Sequence, residues 1–131
     1  MILLDTHAWI WWVQQDRRRL PPGLWSFLIA SNQPWAVSAL SVYEVTVLQA
    51  RGRLSLGLPM DEWLEAALAE SDITAIAVDA EIAFRAAALP PLHGDPVDRI
   101  VIATAQTLEA TLISADSKIA QYPDVRVRWT L

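Results

Sequence analysis

The chain contains no cysteine, which excludes disulfides, thiolate metal sites and cysteine nucleophiles. Histidine is almost as scarce, with His7 and His93 the only imidazoles. No apolar run reaches the ~20 residues that a bilayer-spanning helix needs, and the first residues carry neither the basic lead nor the small-residue cleavage site of a secretory signal. A cytoplasmic protein with no membrane segment is therefore expected. Basic charge is in deficit: 10 Lys and Arg against 15 Asp and Glu leave a net charge of -5. Such a chain does not coat nucleic acid through a general positive field, so a nucleic-acid substrate would require local cations.

What is present points to a packed core. Of 131 residues, 53% are hydrophobic and 19% charged, and periodic segments run nearly end to end, which excludes disorder. The length suits one domain spanning 1–131. Short β-prone stretches at Ile2–Leu4, Trp35–Val37, Ile73–Val78, Thr111–Ser114 and Val125–Trp129 alternate with longer segments of helical period. The helices are expected at about Thr6–Val13, Pro22–Ser31, Val42–Arg53, Asp61–Ser71, Ala80–Leu89 and Pro96–Glu109. This alternation predicts an α/β fold around a mainly parallel sheet. The run Arg17 to Arg19, followed by Pro21-Pro22-Gly23, reads as a solvated loop.

Four acids recur at the ends of these strands or the starts of these helices. Asp5 closes the first apolar strand, Glu44 follows "SALSVY", Asp98 lies in "HGDPVDR" and Asp116 follows "TLISA". In an open parallel sheet these positions surround the crevice outside the carboxyl ends of the strands, so segments distant in sequence can meet there.

Each acid also has a purely structural reading. Ser41-Val42-Tyr43-Glu44 fits a capping box, with the glutamate reaching back to the Ser41 amide. Asp95-Pro96-Val97-Asp98 is a good helix start, with Asp95 as N-cap and Asp98 in the first turn, where the helix dipole favours negative charge. Asp5 and Asp116 can be read as N-caps too. Together, however, four converging carboxylates repel one another. Two unit charges about 4 Å apart cost roughly 1 kcal/mol in water and roughly 4 kcal/mol at an effective dielectric constant of about 20, whereas a helix dipole returns only about 0.3–1 kcal/mol per charge. A bound cation offsets such repulsion, and an oxygen-rich donor set without cysteine suits a hard ion, Mg²⁺ or Mn²⁺.

The stretches "LLDTHAWIWW", "VSALSVYEV", "GRLSL", "LPPLHGDPVDRIVIATA" and "LISAD" together resemble a PIN-domain protein of the VapC toxin family, in that family's order and over nearly the whole chain. The resemblance implies a PIN-like α/β/α sandwich with a short parallel sheet and metal-dependent endoribonuclease activity leaving 5′-phosphate and 3′-hydroxyl ends. It also implies a homodimer held inactive by a cognate VapB-type antitoxin. Asp5, Glu44, Asp98 and Asp116 match its acidic quartet, with Asp5 and Asp98 as direct metal ligands and Glu44 and Asp116 completing the site or acting through water. Many relatives carry Trp before the glutamate and Lys four residues after it, where this chain has Tyr43 and Leu48.

Around that quartet, Arg99, Lys118, Arg51 and Arg53 are candidate RNA contacts that could offset the acidic field. Trp9, Trp11 and Trp12 read as core or interface packing rather than a base-stacking platform, because neighbouring rings on a helix point in different directions. His7 reads as a packing or hydrogen-bonding residue. Thr6 and Ser114 could orient carboxylates or make ordinary turn bonds. A haloacid-dehalogenase-type phosphatase would need an acid at His7, and a response-regulator receiver an acidic pair at Leu4-Asp5, so both fit poorly. The competing reading is a non-catalytic PIN-like interaction module whose acids only cap helices.

Overall fold

The computed structural model describes residues 1–130. The elements run β1 (Ile2–Leu4), α1 (Thr6–Val13), α2 (Pro22–Ala30), β2 (Trp35–Ser38), α3 (Ala39–Ala50), α4 (Met60–Ala67), β3 (Ile73–Ile76), α5 (Ala80–Ala88), α6 (Pro96–Leu108), β4 (Thr111–Ile113), a 3-10 turn at Ile119–Gln121, and β5 (Arg126–Arg128). The five strands form one parallel sheet in the order β3-β2-β1-β4-β5. β1 is thus central, pairing Ile2 with Trp35 on one side and with Thr111 on the other. Strand order reverses beside β1, so the crevice for a ligand opens at its carboxyl end.

Side chains on successive strand positions point to opposite faces, and each face has its own helical cover. Ile2, Leu4 and Val37 pack with Trp9, Leu24, Val45 and Trp63 from α1 to α4. Leu3, Ala36 and Leu112 pack with Val101, Ile102 and Ala105 of α6. Ile82 and Ala86 of α5 pack on Ala103 of α6. This is the expected α/β/α sandwich, and β1 is buried on both faces because both layers meet there.

The α3 boundary departs from the expected one. The helix starts at Ala39 because Ser38, the last residue of β2, is its N-cap, with its Oγ accepting from the Leu40 amide at 3.1 Å. No capping box forms at Ser41. That residue lies buried inside the first turn, where its Oγ accepts from Thr6 Oγ1 at 2.9 Å and ties α3 to α1. Glu44 is therefore free of a capping role.

Trp9 anchors the larger core. It is fully buried, its ring meets Trp63 edge-on with centroids 5.0 Å apart, and Nε1 donates to the Ala67 carbonyl at 3.0 Å. Trp12 packs between Trp25 and Trp35, each with centroids 4.9 Å away. Trp9→Ala should cost about 3–5 kcal/mol, since it empties the site and orphans a carbonyl. Urea unfolding monitored by far-UV circular dichroism checks this expectation.

Candidate active site

The chain topology brings the acids together. Asp5 leaves β1 and caps α1, with Oδ1 accepting from the Ala8 amide at 2.9 Å. Asp116 follows β4, with Oδ1 accepting from the Lys118 amide at 2.8 Å. α6 returns across the sheet before β4, so its N-terminus and Asp98 lie at the same carboxyl edge. Asp95 caps that helix by accepting from the Val97 amide at 2.9 Å, which leaves Asp98 uncommitted to capping. Asp5, Asp98 and Asp116 line one cleft of about 470 Å³. Glu44 stands close enough for its charge to act on Asp98, although it does not line that cleft. A larger hollow of about 740 Å³, at the other end of α6, is lined by Arg85, Glu109, Asp124 and Arg126 and holds none of the four acids.

The electrostatics are those of crowded, partly desolvated carboxylates. Burial pushes the Asp98 carboxyl up to about 7, the charges of Asp95, Asp5 and Glu44 add to the shift, and His93 opposes it. Burial also raises Asp5, against the stabilising hydroxyl of Ser114 and amide of Ala8. Burial would raise Asp116 as well, but the hydrogen bond from His93 and the amide of Lys118 outweigh it and hold Asp116 below its ordinary value. Ser114 Oγ also accepts from the Asp116 amide at 3.1 Å, so this hydroxyl links two acids. The Thr6 hydroxyl is given to Ser41.

The closest grouping includes a residue outside the expected quartet. His93 Nε2 lies 2.7 Å from Asp116 Oδ2 and 3.0 Å from Asp98 Oδ2. One potential ligand atom from each of the three side chains falls within 4.8 Å of the others. Asp5 shares the cleft but stands outside this tightest cluster. Carboxylate oxygens gathered in one cleft, with the Asp5 and Asp98 carboxyls raised, are the donor chemistry of a hard divalent cation.

A PIN domain model matches residues 2–125. Over 122 residues the chain is 31% identical to Ribonuclease VapC22 of Mycobacterium tuberculosis, covering 92% of this chain and 91% of that protein. The chain belongs to the PIN-domain family, among the VapC proteins. Its fold is shared with VapBC2 of Rickettsia felis, solved bound to a DNA fragment from their promoter (TM-score 0.70, 18% identity, 98% and 99% of the two chains). It is shared too with Mycobacterium tuberculosis VapC20, described as a sarcin-ricin loop cleaving toxin (TM-score 0.65, 20% identity, 96% and 99%).

In this PIN domain the expected cations fall into two groups. Lys118 is exposed beside Asp116 and acts on its charge. Arg99 is not a free cation. Its guanidinium donates to the carbonyls of Ala86 (2.9 Å), Leu89 (2.8 Å), Pro90 (3.0 Å) and His93 (3.1 Å), closing the C-terminal end of α5. These bonds give it a structural role at the end of α5. Arg51, the C-cap of α3, lies about 10 Å along the helix axis from Glu44, and exposed Arg53 follows it beyond the helix; neither lines the cleft. Arg19, left in a solvated loop by its composition, lines the cleft instead, 5.5 Å from the Trp11 ring and 3.4 Å from Asp16. Trp11 faces the same cleft between His7 and Trp129, with ring centroids 5.7 Å from each.

Arg99→Lys should destabilise this PIN domain by roughly 2–4 kcal/mol, because an ammonium cannot span the carbonyls that the planar fork reaches. Equilibrium urea unfolding is the check. A loss below about 0.5 kcal/mol, the size of an ordinary surface change, would contradict the clamp.

Proposed function

We propose that this PIN domain is the ribonuclease toxin of a VapBC-type toxin–antitoxin pair, a Mg²⁺- or Mn²⁺-dependent endoribonuclease acting in the cytoplasm. The observation that carries this reading is the convergence of Asp5, Asp98 and Asp116 in one cleft, with Glu44 within electrostatic reach. Helix capping accounts for Asp5 and Asp95, but neither Glu44 nor Asp98 caps a helix, which counts against a non-catalytic module. Asp5, Asp98 and Asp116 would hold the ion, with Glu44 reaching it through water. A divalent ion there supplies a Lewis acid for the phosphoryl oxygens and lowers the pKa of bound water.

The chain supplies the rest. Asp5 is carried on the central strand and Asp98 on the first turn of a packed helix, so both carboxylates are held by rigid elements. Arg19 and Lys118 place positive charge at the cleft, where the phosphates of RNA would otherwise meet only acids. In the reaction, a water oxygen bonds to phosphorus as the bond to the 3′-oxygen breaks, leaving 5′-phosphate and 3′-hydroxyl ends. The partners are a VapB-type antitoxin and a second copy of this chain. Ile29, Tyr43, Leu58, Phe84 and Leu92 are exposed apolar side chains available to such contacts.

The test is incubation of metal-stripped protein with a mixed RNA pool, with and without Mg²⁺ or Mn²⁺, followed by end mapping. Cleavage with 5′-phosphate ends only when an ion is added is expected. No cleavage with either ion, in protein shown to be folded, overturns the reading.

A further inference from the structure

We propose that His93 is a positioning residue, whose Nε2–H holds the Asp98 and Asp116 carboxylates at the spacing a divalent cation requires. The inference rests on the reading that these acids bind the ion. Its first support is the tautomer. The Asp95 amide donates to His93 Nδ1 at 3.1 Å, so Nδ1 must present its lone pair and the ring proton belongs on Nε2. That proton is donated to Asp116 Oδ2 at 2.7 Å, and Asp98 Oδ2 lies 3.0 Å from the same nitrogen. One N–H thus stands against two like-charged groups on separate elements.

The same geometry decides against His93 as a third ligand. A coordinating Nε2 would have to give up its hydrogen. Moving that hydrogen to Nδ1 would set two donors face to face, the ring N–H and the Asp95 amide. A carboxylate oxygen, by contrast, has two lone pairs and can accept from Nε2–H while its other lone pair faces a cation. This is the outer-shell arrangement whose loss typically costs 10- to 100-fold in metal affinity.

The ring is held on all sides. Its side chain is only 11% exposed. The His93 amide donates to the Tyr122 hydroxyl at 2.8 Å, and that hydroxyl donates to the Pro90 carbonyl at 2.9 Å. Arg99 donates to the carbonyls of both Pro90 and His93. Asp95, which orients the ring, is also the N-cap that sets where α6 begins and hence where Asp98 stands. The segment from Pro90 to Asp95 thus couples the donor to its acceptors through backbone, not merely through side-chain contact.

Mn²⁺ affinity measured by calorimetry at pH 8 tests this in wild type, His93→Ala and His93→Gln, each checked for folding. The expected result is at least tenfold weaker binding for His93→Ala and partial recovery in His93→Gln, whose amide nitrogen offers an N–H in a similar place. In the metal-free wild type, nitrogen NMR should show the ring proton on Nε2, and with Mn²⁺ bound, electron spin echo spectra should show no imidazole nitrogen coupling. Unchanged affinity in a folded His93→Ala, a proton on Nδ1, or directly coupled nitrogen overturns the proposal while leaving the nuclease reading intact. If His93→Ala does not fold, the tautomer and the coupling decide. A folded wild type that binds no Mn²⁺ overturns both.

Discussion

Asp98→Asn is expected to raise the melting temperature of the metal-free protein at pH 8 while lowering RNA cleavage by about three orders of magnitude, some 4 kcal/mol of barrier. The two changes have one cause. Asp98 is partly buried among like charges, and its carboxyl is pushed up to about 7 by burial first and then by Asp95, Asp5 and Glu44, against His93. Asparagine keeps the shape but carries no charge to be desolvated or repelled. A folded-state value above the unfolded one means that the folded chain binds the proton more tightly, so this group's stability contribution is complete below pH 4 and is lost as pH rises through about 7. The gain in Asp98→Asn should therefore be largest at pH 8 and shrink toward pH 4. Asp95→Asn is the control: asparagine is an equally good N-cap, so stability should change by only a few tenths of a kcal/mol and activity should survive. Thermal melts across that range and RNA cleavage assays on both variants check this. An active Asp98→Asn, or a dead but folded Asp95→Asn, reverses the roles.

Apparent Mn²⁺ affinity should fall about tenfold for each pH unit below about 7 and level off above it. An ion that takes Asp98 as a ligand must first displace its proton, so the proton competes wherever the carboxyl is protonated. Asp5, also raised by burial, acts in the same direction, whereas Asp116 is held below the ordinary carboxylate range. Calorimetry at pH 6 in buffers of different ionisation enthalpy should detect about one proton released per ion. Equal affinity at pH 6 and pH 8 would rule out Asp98 as a ligand.

The parallel sheet was legible because short apolar strands alternating with helical periods have few other solutions, and Asp5, Asp98 and Asp116 were legible because strand ends and helix starts of such a sheet share one edge. The α3 start was not, since Ser38 and Ser41 are equally good caps in sequence and only the extent of β2 chooses between them. His93 was hidden for a different reason. A single imidazole in a Pro-rich loop has no period, and its contacts lie with residues on α6 and beyond β4. The structural role of Arg99 was not legible, because its neighbour Asp98 faces the cleft, whereas one position on a helix turns the next side chain about 100° around the axis, here onto the end of α5. The signal available was "PVDR" packing beside a helix that ends without its own cap: the α5 C-terminus, Ala88-Leu89-Pro90, offers no glycine and needs donors from elsewhere.

The central place of β1 has a consequence for the order in which the molecule folds. β1 is flanked by β2, which follows it in the same half of the chain, and by β4, which lies far downstream. Until β4 docks, one edge of β1 has no partner, and Asp116 beyond that strand cannot be placed against Asp5. Closing that contact joins residues 2–4 to 111–113, a separation that slows folding because the entropy of a long loop is lost before the pairing compensates it. The acidic centre is therefore complete only once the most sequence-distant pairing of the sheet has formed.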